Sequence, residues 1–77
     1  MGANTTSLYK AIQYAREYDY GEVVNSIGET FTLDEFYKQE GNSRGWVVFP
    51  NIAGKDAKMI KYIDFGRRYR VFTLKAN

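Results

Sequence analysis

The chain has 77 residues, no cysteine and no histidine, and a net charge of only +2. Without these side chains there is no disulfide framework, no thiolate or imidazole zinc site, and no group matched to proton transfer near neutral pH, so neither an enzyme nor a metal or cofactor protein is expected. A chain this short buries only about 60% of its unfolded surface, so a single domain over 1–77, with 1–4 disordered, must draw its core from seven Tyr, five Phe and one Trp.

The charge is divided along the chain. Residues 1–43 hold three basic and seven acidic side chains, a net −4, whereas residues 44–77 hold eight basic and two acidic ones, a net +6. Such a division points to an anionic partner for the second half. No apolar run approaches a membrane span and no signal peptide is visible, so a soluble, cytoplasmic protein without membrane contact is expected. The opening "MGANTT" fits a myristoylation pattern at Gly2, and Asn4-Thr5-Thr6 is a glycosylation sequon. Neither has the second anchor or the secretion signal that would give it meaning.

In chain order, residues 5–19 place Leu8, Ile12, Ala15 and Tyr18 at helical spacing, with Thr5 or Thr6 as cap and Gly21 as terminator. "EVVNSIG", 22–28, reads as a short turn of helix or a connector. "FTLDEF" is a capping box, Thr32 with Glu35, flanked by a Phe31–Phe36 staple, and predicts a helix from Leu33 to about Gln39 closed by Gly41. Trp46–Phe49 reads as a strand or an apolar plug.

Residues 51–65 support two readings. As a helix, Ile52, Met59, Ile60 and Ile63 share a face and Lys55, Lys58, Lys61 and Tyr62 lie opposite. As a strand, Lys61 interrupts the apolar side between Met59 and Ile63, and Gly54 counts against the helix. The helix is the reading taken; the rival is a three-stranded meander with turns at "AGKD" and Gly66. Residues 67–75 are a strand on either reading, with Tyr69, Val71 and Thr73 on one face and Arg68, Arg70, Phe72 and Leu74 on the other. Were Tyr69 and Val71 to face inward, the arginines would face water.

The candidate nucleic-acid-binding residues are therefore Arg44, Asn51, Lys55, Lys58, Lys61, Tyr62, Arg67, Arg68 and Arg70. A lysine stripe of period three neutralises phosphates along a groove, and strand arginines grip the adjacent backbone or enter a minor groove.

"FTLDEFYKQEG", then a helix ending "KMIKYIDFG", then "RRYRVFTLK" resembles small helix-turn-helix DNA-binding proteins, of the winged-helix or lambda Cro repressor type. The resemblance covers residues 31–75, with "NSRGWVVFPN" standing where a compact turn or second helix is expected. It implies an α+β, winged-helix-like domain of three helices with a short C-terminal antiparallel sheet; the alternative is helices packed on a three-stranded β-meander. It also implies that "NIAGKDAKMIKYI" is the recognition helix and "FGRRYRV" the wing. The function implied is that of a small regulatory or accessory protein of phage or mobile-element type that binds duplex DNA through its basic half.

Two other readings remain open. One is a small protein-interaction module, such as a phage-encoded inhibitor or adaptor of a host protein, using Tyr14, Tyr18, Tyr20, Tyr37 and Trp46 as contacts. The other is a single-strand binder that presents Tyr62, Phe65, Tyr69 and Phe72 on one sheet face.

Overall fold

Leu8, Ala11, Ile12 and Ala15 are buried along one side of the first helix, α1 (Leu8–Glu17), as their spacing requires. The structure, a computed structural model, describes residues 4–77. Gly2 lies outside the described residues, and of the first four only Asn4 is described, exposed to solvent. The cap of α1 is Ser7, whose hydroxyl accepts the Lys10 N–H at 3.3 Å, while Thr6 and Ser7 form a two-residue strand, β1 (Thr6–Ser7). The helix stops at Tyr18, before Gly21, because Asp19 takes a left-handed backbone (φ 65°) and turns the chain into β2 (Tyr20–Val24).

"EVVNSIG" is thus neither helix nor simple connector. Its first residues belong to β2, and its end is a turn in which the Asn25 side chain accepts the N–H groups of Ile27 and Glu29 at 3.1 and 2.9 Å. The turn leads into β3 (Thr30–Thr32). The capping box then forms as expected: Thr32 accepts the Glu35 N–H at 3.1 Å and Glu35 accepts the Thr32 N–H at 2.8 Å. Phe31 and Phe36 pack with ring centroids 6.0 Å apart, and α2 (Leu33–Glu40) ends at Gly41 with φ 74°.

The expected third helix does not exist. Residues 51–56 form a loop in which Gly54 takes φ 84°, and the chain then runs as a strand. Arg44–Phe49 is β4, Ala57–Ile63 is β5 and Arg68–Ala76 is β6. β5 lies between β4 and β6, and its seven residues, 57 to 63, all pair with β6. Lys61, which breaks the strand pattern in the sequence, is accommodated because its ammonium reaches past the core. It lies 5.5 Å from the centroid of the Trp46 ring and donates to the Arg44 carbonyl.

The described residues therefore form two helices on one face of a six-stranded antiparallel sheet, in the order β1-β4-β5-β6-β2-β3. The fold is not a three-helix winged-helix-like domain with a short sheet. The segment assigned to the recognition helix is loop and central strand. β4, β5 and β6 do form a meander, but as the interior of a larger sheet. The outermost strands, β1 and β3, have two and three residues, a length that gives little template for edge-to-edge association.

The core lies between the helices and the sheet. Trp46, Phe36 and Phe72 form its centre, with ring centroids 5.1–5.5 Å apart, surrounded by Leu8, Val23, Met59 and Leu74. Among the described residues no helix covers the opposite sheet face. There Val47, Ile60 and Val71 stand in register across β4, β5 and β6, beside the pairs Tyr62–Tyr69 and Lys58–Thr73.

One glycine is required by this geometry. Gly45 has φ 101°, and a Cβ there would sit 2.7 Å from the Tyr62 carbonyl oxygen. Gly45→Ala is expected to destabilise the fold by about 2 kcal/mol or more. Gly28→Ala, which meets strain (φ 86°) but no neighbour within 4 Å, is expected to be milder. Urea denaturation of the two variants checks the order.

Candidate nucleic-acid interface on the β5–β6 hairpin

The sequence "FGRRYRVF" raises the question of which face of β6 carries the arginines. Phe72 and Leu74 are buried against the helices, at 2% and 0% exposure. Strand alternation then puts Arg68 and Arg70 on that same side, and Tyr69, Val71 and Thr73 on the uncovered face. This reverses the arrangement in which the arginines face away from the core. Their charge is tolerated because both remain exposed: Arg70 pairs with Glu40, the last residue of α2, and Arg68 stays in solvent.

Arg70 closes the core at this end. Its guanidinium makes two bonds to the Glu40 carboxylate, 3.0 and 3.1 Å, and lies 5.0 Å from the Phe72 ring centroid. Lys61 stands opposite Arg70, and Arg68 opposite Ile63. Arg67 follows the connecting turn Asp64–Gly66. Among the described residues the ion pairs are Arg16–Asp34, Arg70–Glu40 and Lys75–Asp56, so Arg44, Lys61, Arg67 and Arg68 are not neutralised by a carboxylate.

Of the nine candidate residues, the hairpin end of the sheet gathers Lys61, Tyr62, Arg67, Arg68 and Arg70, with Arg44 joined through its carbonyl to Lys61. Tyr62 is on the far side of this ribbon, 6.4 Å from Tyr69 between ring centroids.

The other three lie elsewhere. Asn51 shapes the 51–56 loop, donating to the Asp56 carbonyl at 3.0 Å and accepting the Ile52 N–H at 2.8 Å. Lys55 is on that loop. Lys58 projects to the opposite face from Lys61 and donates to Thr73 Oγ1 at 3.0 Å. The lysine stripe depended on a helix and dissolves with it, so the cations of the second half do not form one continuous surface.

The aromatic proposals are corrected in the same way. Tyr20 and Trp46 are buried in the core and offer no contact surface. Phe72 faces the helices while Tyr62 and Tyr69 face away, so the four aromatics of the single-strand reading share no face.

Phe65, expected on a sheet face with Tyr62, Tyr69 and Phe72, stands instead at the tip of the hairpin, in the turn that joins β5 to β6. Phe65 is fully exposed, at 103% of its reference area, and has φ 56°. Its neighbours Asp64 and Gly66 also take positive φ, 54° and 85°, and the Arg67 N–H closes the turn on the Asp64 carbonyl at 3.1 Å. The available signal was "DFG", an aromatic next to the glycine of a strand-to-strand turn.

The carboxylate of Asp56 has a structural role. It accepts the Lys75 ammonium at 2.7 Å and the Ala76 N–H at 2.9 Å, tying the 51–56 loop to the end of β6. The Lys75 bond, then the Ala76 bond, holds its pKa below the ordinary aspartate value. A depressed folded-state pKa contributes stability that is present above the ordinary value and lost as pH falls through the depressed one. A carboxyl-carbon NMR titration is expected to find Asp56 ionised below the range of a free aspartate. In Asp56→Asn that part of the acid-side loss of stability is expected to vanish.

No protein-family model, curated protein or solved structure matches this chain. Among the described residues no group of His, Cys, Asp or Glu side chains is placed to hold a metal ion, and no helix is long and apolar enough to cross a membrane.

Proposed function

We propose that this protein binds nucleic acid, duplex DNA foremost, through the basic side of the β5–β6 hairpin, as a small regulatory or accessory factor. The observation that carries the reading is the set of cations without carboxylate partners among the described residues, Lys61, Arg67, Arg68 and Arg44, on or beside the β5–β6 hairpin. A ribbon of this kind enters a DNA groove as a helix does, and arginines on it reach phosphates on either side. The reading does not require a recognition helix.

Fluorescence anisotropy of a labelled duplex tests it. With three or four phosphates neutralised, affinity is expected to fall about 40- to 150-fold between 50 and 200 mM salt. No binding to a long duplex at low salt would sink the reading.

A protein-interaction module is supported by a different observation, the uncovered sheet face, where Phe49, Tyr69 and Val71 are exposed around the Val47–Ile60–Val71 row. A protein complex that survives high salt and is lost in Val71→Asp would favour that reading.

A further inference from the structure

We propose that Phe65 is a wedge: the β5–β6 hairpin enters the minor groove of a DNA duplex and drives this ring between adjacent base pairs, kinking the helix. The inference rests on the nucleic-acid reading above and adds the mode of contact.

Three observations converge on it. The first is position. Phe65 is the outermost aromatic of the ribbon and is completely exposed, so no part of the fold gains from its ring. The second is backbone. A bulky residue with φ above zero is an outlier, and here two consecutive non-glycine residues, Asp64 and Phe65, adopt it at the tip. Hairpin turns that use positive φ draw on Gly, Asn or Asp for it, and Phe65 is none of these. This turn is held by the Arg67–Asp64 backbone bond and leaves the ring clear of the sheet.

The third observation is charge. Arg67 and Arg68 follow the tip directly and Lys61 precedes it, all three without a carboxylate partner, while Asp64 is the one acid of the turn. An apolar ring followed directly by two arginines, with Lys61 two residue pairs back along the ribbon, is complementary to a surface that is anionic outside and apolar within. Duplex DNA is such a surface: phosphates line the groove, and base pairs stack behind them. Groove-binding proteins insert apolar side chains there and unstack a step, with cations holding the backbones on either side. A membrane shares the anionic exterior, but one aromatic side chain is far short of the apolar area that even weak membrane attachment takes.

The test uses the full chain and a duplex of about 30 base pairs carrying 2-aminopurine at internal steps, with donor and acceptor dyes at its ends to report bending. The wild-type protein is expected to raise 2-aminopurine fluorescence and shorten the end-to-end distance. Phe65→Ala is expected to lose both signals. Its affinity should fall about tenfold, near the low end of what one base–aromatic stack is worth, because unstacking offsets the remainder. Its thermal melting and the salt dependence of its binding should stay as in wild type, since the ring touches nothing in the fold and contacts no phosphate. Phe65→Leu, still an apolar wedge, is expected to retain part of the bend.

Salt-dependent binding by wild type with no unstacking and no bend would overturn the wedge and leave the nucleic-acid reading standing. No duplex binding at low salt would overturn both. Phe65-dependent sedimentation with phosphatidylserine vesicles, without unstacking of DNA, would overturn the wedge in favour of a lipid surface.

Discussion

Phe72→Ala is expected to lower the unfolding free energy by about 3–5 kcal/mol. The ring sits at the meeting point of Phe36, 5.1 Å away, and Trp46, 5.4 Å away, and is 2% exposed. Alanine removes the buried area and leaves a cavity that neither helix can close, since α1 and α2 are each fixed by their own packing on the sheet. The substitution also takes away the surface on which the Arg70 guanidinium lies. A domain of this length has about 4–12 kcal/mol of stability in total, at 0.05–0.15 kcal/mol per residue. A loss of this size leaves the protein marginal at room temperature. Urea denaturation monitored by Trp46 fluorescence measures it, and a loss below about 1 kcal/mol would contradict the placement of the core between helices and sheet.

The second large effect concerns binding. The double variant Arg67→Ala, Arg68→Ala is expected to reduce duplex affinity about 50-fold at 0.1 M salt and to flatten the slope of log affinity against log salt by about 1.8, two phosphate contacts' worth. Both side chains are exposed and neither has an acidic partner among the described residues, so the melting curve is expected to stay where it is. Arg70 is the informative contrast. Its removal strands the Glu40 carboxylate, whose side chain is only 13% exposed, so Arg70→Ala should destabilise the fold as well as weaken binding. Loss of affinity without loss of stability is thus specific to the unpaired cations. Unchanged affinity in the double variant would separate the hairpin from whatever the protein binds.

Local signals were legible in the sequence and tertiary ones were not. The Thr32–Glu35 box, the Phe31–Phe36 staple and the Gly41 stop involve residues within ten positions of one another, and the helix they predict is present. The alternation of 67–75 also predicted its strand, because nothing in that run competes with period two. β5 was obscured by Lys61. A charged residue at an inward position counts against a strand unless its aliphatic stem can cross an aromatic and bring the ammonium to the rim, and that requires Trp46 on the neighbouring strand. β2 was obscured by its brevity and by the Asn25 turn, whose hydrogen bonds resemble the start of a helix as much as a hairpin.

The candidate site divides the same way. That arginines alternate with Tyr69 and Val71 was plain. Which set faces the helices depends on where α2 ends, a fact of packing that no periodicity contains. The same packing leaves Arg67 and Arg68 without a carboxylate partner among the described residues, pairs Arg70 with Glu40 at the edge of the core, and separates Lys58 from Lys61. The lysine stripe was an artefact of reading a strand with a helical period.

The central claim, that the hairpin end of the sheet is the nucleic-acid contact, is tested most directly by a two-dimensional amide and aromatic NMR titration of the protein with a short duplex at low salt. The account predicts that the largest shifts fall on the amides of Asp64 to Arg70 and on the Phe65 ring, with α1 unmoved. Shifts centred on the Phe49 ring and the Val47 and Ile60 methyl groups, or no shifts at all, would contradict it.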